Sequence, residues 1–231
     1  MMRPSAVLFA TALAFSPLAA LAESAVTIPA PAAEASAPGN GLETAVLAGG
    51  CFWGIQAVYQ HVKGVTNAVS GYAGGAQKDA TYDVVSSGRT SHAESVRVTF
   101  NPREISYGKI LQIYFAVAHD PTQLNRQGPD SGPQYRSEIF PQNEAQQKVA
   151  QDYIAQLDKT GVYKRPIVTK TQTMKVQFYA AEGYHQDYAT KHPYQPYIVI
   201  NDAPKVENLK KMFPDMWRDQ PVTVAEADKG N

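Results

Sequence analysis

The chain has 231 residues, of which 44 % are hydrophobic and 18 % are charged, and its 21 basic and 21 acidic side chains leave no formal net charge. Such a chain can bury an ordinary core in one sizeable domain or two small ones. Without a basic excess, nothing points to a nucleic-acid partner or to stable association with an anionic membrane surface.

The first 22 residues have the pattern of a secretory signal peptide. Arg3 precedes an apolar stretch over residues 6–20, and a small-residue cleavage site ends at Ala22. A membrane-spanning helix is the alternative, but Pro17 interrupts the stretch and no basic stop-transfer run follows it. We therefore expect a periplasmic protein, cleaved after Ala22, whose mature chain carries a net charge of −1 because Arg3 is lost.

The mature chain divides by composition into three parts. Residues 23–42 are rich in Ala and Pro, which predicts a disordered or semi-rigid linker. Residues 43–218 contain no internal repeat or composition break and are expected to form a single domain. Residues 219–231 are expected to form a flexible tail.

Hydrophobic periodicity within 43–218 predicts strands and helices in mixed order. The expected strands cover residues 44–48, 65–69, 93–100, about 136–140 and 171–179, and the expected helices cover 51–62, 105–118, 143–159, 180–191 and 204–212. A glycine-rich turn is expected at 71–75 and a long polar loop at 119–135. Few tight hairpins are expected, so the order favours an α+β domain of two layers.

Cys51 is the only cysteine, so no internal disulfide can form. It stands between a predicted strand and a predicted helix, where unpaired N–H groups and the helix dipole favour a thiolate. Gly49 and Gly50 are expected to leave the approach to the sulfur free of side chains. A small buried core residue is the alternative interpretation.

Glu94 begins a strand of strict alternation, on the same face as Val96, Val98 and Phe100. If those residues face the core, the carboxyl is partly removed from water and keeps its proton near neutral pH, as a general acid requires. The alternative is a glutamate at the rim that reaches solvent.

The loop 119–135 is long for a connection inside a domain, which is typical of functional loops. Its side chains could fix one another and present Asp130 and Tyr135 to a pocket, although a purely structural loop is also possible. Tyr82 offers a further phenolic donor, and a core or surface tyrosine is the alternative.

Other motifs for metal binding or hydrolysis are weaker indications of function. The sequence His92-Ala93-Glu94 matches half of a zinc deaminase motif whose cysteine pair is absent. Five scattered histidines give no metal-ligand spacing, so no metal is expected. A cysteine hydrolase would need a histidine beside the thiol, and His119 or His185 could serve.

Several motifs occur in order over about residues 44–213: Gly50-Cys51-Phe52-Trp53-Gly54, residues 88–94, residues 119–127 with Gln134-Tyr135-Arg136-Ser137, and Tyr184-His185-Gln186-Asp187-Tyr188. Through these motifs the chain resembles the peptide methionine sulfoxide reductase A family. The resemblance implies a ferredoxin-like α+β core and reduction of the S-epimer of methionine sulfoxide, free or in proteins.

The resemblance also implies a role for each matching residue. Cys51 would attack the sulfoxide sulfur and become a sulfenic acid, which is the first step of the cysteine oxidation ladder. Glu94 would protonate the sulfoxide oxygen with help from Tyr82 and Tyr135. The remaining implied residues line the substrate pocket: Phe52 and Trp53 for the S-methyl group, and Asp130 to help fix the site.

The chain departs from the family in three places. It has no further cysteine near the C-terminus to resolve the sulfenic acid, so it resembles the single-cysteine branch. No cofactor is implied, but an external thiol reductant is, either a thioredoxin-like protein or a small thiol, and we expect a monomer. Ser91 replaces a usual glycine, and Pro129 precedes Asp130 where a small polar residue is common in the family.

Two other classes of protein stay open on the sequence. One is a different exported thiol enzyme, a peroxidase or a cysteine hydrolase that uses Cys51. The other is a non-catalytic exported binding domain in which Cys51 is merely buried.

Overall fold

A computed structural model describes residues 25–33, 41–172 and 176–224 of the chain. The predicted signal peptide lies outside the described residues, as do residues 34–40 of the predicted linker and residues 225–231 of the predicted tail. No helix among the described residues is long and apolar enough to cross a membrane.

The strands and helices follow the predicted mixed order. The strands are β1 (Glu43–Ala48), β2 (Val65–Ala73), β3 (Ala93–Phe100), β4 (Arg126–Gln127), β5 (Asp130–Ser131), β6 (Glu138–Phe140), β7 (Lys170–Thr171) and β8 (Phe178–Ala180). The α-helices are α1 (Phe52–Gln60), α2 (Tyr82–Val85), α3 (Tyr107–Ile113), α4 (Glu144–Thr160), α5 (Tyr188–Lys191) and α6 (Ala203–Met212). Wider π-helical turns continue α3 over Tyr114–Ala118 and precede α6 over Ile198–Asp202.

Six strands form one mixed sheet in the order β7-β6-β1-β3-β2-β8. Its four central strands follow the connection β1-α1-β2-β3-α3-β6, and only the outer pair β6–β7 is parallel. This is the arrangement of a ferredoxin-like α+β fold, so the predicted fold class is confirmed. The small pair β4–β5 lies inside the predicted loop 119–135.

The main core lies between the sheet and its helices. Val96, Val98 and Phe100 of β3 are fully buried there, together with Ile55 and Val58 of α1. The alternation of β3 therefore places its apolar face as predicted, and Glu94 at its start shares that face.

The predicted strand 171–179 is wrong, because its two ends lie at opposite edges of the sheet. β7 ends at Thr171 beside β6, whereas β8 begins at Phe178 beside β2. The hydrophobic periodicity predicts that both ends are extended, but it does not predict which strand each end pairs with. β2 also runs on to Ala73 through the predicted turn, since Gly71 has no side chain to collide with β8.

The predicted helix 180–191 is wrong in its first half. The chain forms one turn at Gly183–His185 and becomes α-helical only from Tyr188. Asp187 between them adopts a left-handed φ of 58°. Its carboxylate accepts a hydrogen bond from Gln60 and its N–H donates to Gln56, so contacts with α1 override the local helical pattern.

The linker prediction is wrong for residues 25–33, which lie against the domain. The N–H of Val26 donates to Ala116, Tyr153 donates to the carbonyl of Pro29, and Ile28 is buried in the main core. We call this segment the N-terminal strap. The tail prediction likewise fails for 219–224, where the N–H of Val222 donates to Gln60.

Candidate active site

Cys51 precedes the first residue of α1 and keeps part of its surface exposed. The buried strand β1 delivers the chain to this point, and Gly50 turns it at a φ of 95°. Phe52 donates its N–H to Oε2 of Glu94 at 3.1 Å, which brings the start of α1 and the start of β3 together. Two residues predicted from separate motifs are therefore neighbours.

The sequence predicts that Gly49 and Gly50 leave the approach to the sulfur free of side chains, and this prediction is wrong. A side chain at Gly49 would collide with His119, and one at Gly50 would collide with Gln127. The two glycines instead allow the 119–127 segment to pack closely behind the turn, so that side of Cys51 is closed by protein.

Glu94 is 2 % exposed, which excludes the alternative of a rim glutamate. Burial raises the pKa of its carboxyl to about 8, against the opposing effect of the Phe52 N–H, and the charges of Asp130 and Asp202 add to the rise. A carboxyl that ionises only near pH 8 carries a proton under ordinary conditions and can donate it.

The thiol of Cys51 departs from the prediction of a thiolate. Burial raises the pKa of the thiol well above its usual range, and the carboxyl of Glu94 raises it further. The N–H of Trp53 at the helix start lowers this pKa, as predicted, but the effect is smaller. Cys51 is therefore a thiol beside a protonated carboxyl, because removal from water outweighs the helix dipole.

Tyr82 and Tyr135 stand on two further sides of the pocket. Tyr82 opens α2 and Tyr135 ends the turn Pro133–Tyr135. Burial raises the pKa of both phenols. The nearby carboxyl of Glu94 raises it further, and the thiol of Cys51 is among the smaller causes. Both groups stay protonated, so both are hydrogen-bond donors within electrostatic range of the acid.

The loop 119–135 is fixed by its own side chains. Gln127 accepts from the N–H of Asp120 and donates to its carbonyl, and Thr122 donates to its carboxylate. The loop presents Asp130, whose carboxylate accepts a hydrogen bond from Tyr197. A structural loop and a functional loop are thus compatible interpretations. The hydrogen bonds within the loop hold Asp130 and Tyr135 in place.

Arg136 ties this loop to the strand that carries Glu94. Its guanidinium donates to the carbonyl of His92 at 3.1 Å and to that of Ser91 at 2.9 Å, and it pairs with the buried carboxylate of Glu138. Because Ser91 contributes only its backbone carbonyl here, the departure from glycine removes none of these contacts.

Phe52 and Trp53 form an aromatic wall beside the sulfur. Trp53 stacks on Tyr188 with ring centres 3.8 Å apart, and its indole N–H donates to Nδ1 of His185 at 3.3 Å. The ring of Phe52 is buried, with its centre 5.1 Å from that of His185. Aromatic faces of this kind favour a methyl group bound to sulfur.

Several residues of the site were not identified from the sequence. Tyr197 packs edge-on to Trp53 and donates to Asp130, while His185 and Tyr188 hold the indole. His185 and Tyr188 belong to a motif that we quoted for the resemblance, but spacing alone assigned them no contact. Asp202 carried no signal at all, because a single aspartate before a helix is usually a cap.

The two histidines considered for a cysteine hydrolase, His119 and His185, are held by groups other than Cys51. His119 is held between the carbonyl of Tyr114 and the hydroxyl of Ser137, and burial lowers its pKa to about 3. Nδ1 of His185 is engaged by Trp53. No group of three His, Cys, Asp or Glu side chains in the described ranges is arranged to hold a metal ion.

The geometry agrees with comparisons to known proteins. The family model described as "Peptide methionine sulfoxide reductase" matches residues 43–217. Peptide methionine sulfoxide reductase MsrA 2 of Mesorhizobium japonicum is 59 % identical over 194 residues, which cover 84 % of this chain and 98 % of that protein. Peptide methionine sulfoxide reductase MsrA 2 of Synechocystis is 44 % identical over 185 residues, covering 80 % and 86 %.

Solved structures give the same likeness. Methionine sulfoxide reductase A of Corynebacterium diphtheriae superposes with a TM-score of 0.57 at 34 % identity, covering 69 % of this chain and 80 % of that one. Mxr1 from Saccharomyces cerevisiae in reduced form superposes with a TM-score of 0.58 at 33 % identity, covering 67 % and 87 %.

Proposed function

Since the chain belongs to the peptide methionine sulfoxide reductase A family and reduces methionine sulfoxide to methionine, we propose that Cys51 and Glu94 carry out this reaction on the S-epimer. The observation that carries the assignment is the contact between Glu94 and the N–H of Phe52, which holds a protonated carboxyl beside the residue that follows Cys51.

The proposed step balances as an oxygen transfer. Glu94 donates its proton to the sulfoxide oxygen, which makes that oxygen a better leaving group, and Sγ of Cys51 attacks the sulfoxide sulfur. As the sulfur–oxygen bond of the substrate breaks, the oxygen leaves as water with the proton of Glu94 and that of the thiol, and Sγ is bonded to the substrate sulfur. Water then attacks Sγ, the bond between the two sulfurs breaks to release methionine, and a proton of the water returns to Glu94, which leaves Cys51 as a sulfenic acid. The substrate sulfur is reduced by two electrons and the cysteine sulfur is oxidised by two.

The surrounding side chains support this step by position. Tyr82 and Tyr135 are phenols that can donate to the sulfoxide oxygen as it takes up charge. Phe52 and Trp53 offer an apolar surface to the S-methyl group. Asp130 fixes Tyr197 against Trp53 and so keeps this wall in place.

Recycling of the enzyme needs an external thiol, because the chain contains no second cysteine. Two thiol groups, from a thioredoxin-like protein or from two small thiol molecules, would reduce the sulfenic acid to the thiol and release water and a disulfide. No cofactor takes part in the proposed reaction.

A stoichiometric assay tests the proposal. Reduced protein is incubated with racemic methionine sulfoxide in the absence of reductant, and methionine and the remaining epimers are quantified. We expect one methionine per chain, formed from the S-epimer alone, with the sulfenic acid trapped on Cys51 by dimedone. Cys51→Ser should form none. Continued turnover without reductant, or faster reduction of peroxide than of sulfoxide by the wild type, would contradict it.

We also propose that the protein is exported to the periplasm, on the basis of the signal-peptide pattern over residues 1–22. Mass spectrometry of the protein from cells of its source should find a chain that begins at Glu23 in the periplasmic fraction. A cytoplasmic chain that retains Met1 would exclude this.

A further inference from the structure

A buried acid–base pair lies behind the first turn of α1. Asp202 ends the turn Ile198–Asp202 and is fully buried, and Lys205 in the first turn of α6 is 5 % exposed. Nζ of Lys205 lies 3.7 Å from Oδ1 of Asp202. Charged side chains are seldom buried to this degree, because each loses its hydration, so the pair needs a reason for its position.

The pair is packed against the helix turn that carries Cys51. A side chain at Gly54 would collide with Oδ1 of Asp202, and its Cβ would lie 3.3 Å from Nζ of Lys205. Gly54 follows Cys51 by three residues, and residues three apart share one face of a helix. The carboxylate of Asp202 therefore lies on the side of α1 that also carries the sulfur.

The charge of Asp202 acts on the reacting groups. Asp202 raises the pKa of the Cys51 thiol, as the third cause after burial and the carboxyl of Glu94. It also raises the pKa of Glu94. Burial raises the pKa of Asp130, and the hydrogen bond from Tyr197 and the charge of Lys205 oppose this rise.

Three further titratable groups lie near Asp202: Tyr197, His61 and Glu207. Tyr197 precedes Asp202 by five residues and has its pKa raised by this carboxylate after burial and the nearer groups. On the outer side, His61 and Glu207 line with Asp202 a groove of about 310 Å³.

We propose that Asp202 is a positioning residue of the reductase: it is paired with Lys205 behind Gly54 and carries a negative charge that keeps the protons on Cys51 and Glu94. The inference rests on the proposed roles of those two residues. It adds a third group, outside the substrate pocket, that sets the pH range over which the thiol and the acid are both protonated.

The test is the pH dependence of Asp202→Asn, which removes the charge and nearly preserves the shape. We expect the profile of kcat/KM to move to lower pH by about one unit, and the alkylation of Cys51 by iodoacetamide to move in the same direction. The unbalanced charge of Lys205 acts in the same direction, since it favours carboxylate and thiolate. Glu207→Gln, an exposed acid on the same helix and groove, is the control and should move neither profile.

A purely structural role would lower activity or thermal stability without moving either profile, and that result would overturn the proposal. If Asp202→Asn does not fold, the double variant Asp202→Asn with Lys205→Met leaves no unpaired buried charge and is measured in its place. The alkylation profile needs no turnover, so it can fail or succeed independently of the assignment of Cys51 as the nucleophile.

Discussion

Glu94 keeps its proton because of where β3 begins. The strand places the carboxyl on the buried face that packs against α1, where it accepts a hydrogen bond from the N–H of Phe52. Its position in the fold therefore keeps this carboxyl protonated, as the acid role proposed for it requires.

Replacement of this carboxyl gives the sharpest prediction at this scale. The pKa of Glu94 is raised to about 8, so the acid is protonated below that pH and ionised above it, and wild-type kcat/KM should fall as the pH rises through about 8. In Glu94→Gln we expect a rate lower by on the order of 10²–10⁴-fold, and the fall near pH 8 should be absent. Steady-state rates from pH 5 to 10 measure both effects.

The exposed Glu144→Gln serves as the matched control, because it makes the same chemical change at the start of α4, away from the pocket. A Glu94→Gln enzyme with near wild-type rate, or one that retains the same fall near pH 8, would remove Glu94 from its proposed role.

Four segments meet at the site, and contacts outside the chemistry hold them there. Arg136 joins the loop 119–135 to the start of β3, and the buried residues Gln186 and Asp187 join the segment before α5 to α1. These hydrogen bonds also explain the wrongly predicted helix 180–191. A residue that must satisfy buried partners on another helix takes the backbone angles that those partners require.

The N-terminal strap is an element whose contribution to stability can be measured. Ile28 is buried against the core, so Ile28→Ala should lower the free energy of unfolding by about 2 kcal/mol, the lower end of such truncations, because the site lies at the edge of the core. Leu42→Ala removes a side chain that is 60 % exposed and should change it by less than about 0.5 kcal/mol. Chemical denaturation of both variants makes the comparison, and equal effects would mean that the strap contributes no stability.

At the scale of the whole molecule, the sheet brings distant motifs to one edge of the core. β1 is followed after two glycines by Cys51, β3 carries Glu94 as its second residue, and the loop before β6 supplies Asp130 and Tyr135. Because β1, β3 and β6 are adjacent in the sheet, residues far apart in the chain, such as Phe52 and Glu94 at a separation of 42, lie together. The C-terminal part then adds Tyr188 and Tyr197 against Trp53, and Asp202 behind Gly54.

The sequence alone was sufficient for the fold class, the central strands, and the two residues at the centre of the site. Alternation in β3 and the helical spacing after Cys51 are local patterns that the core then obeys, and both were confirmed. Tertiary structure decided what depends on distant partners: the division of 171–179 between two sheet edges, the break at Asp187, the docking of the N-terminal strap, and the pair Asp202–Lys205. It also decided the protonation of Cys51, because a helix start is visible in the sequence, whereas the loss of water around a sulfur depends on everything packed against it.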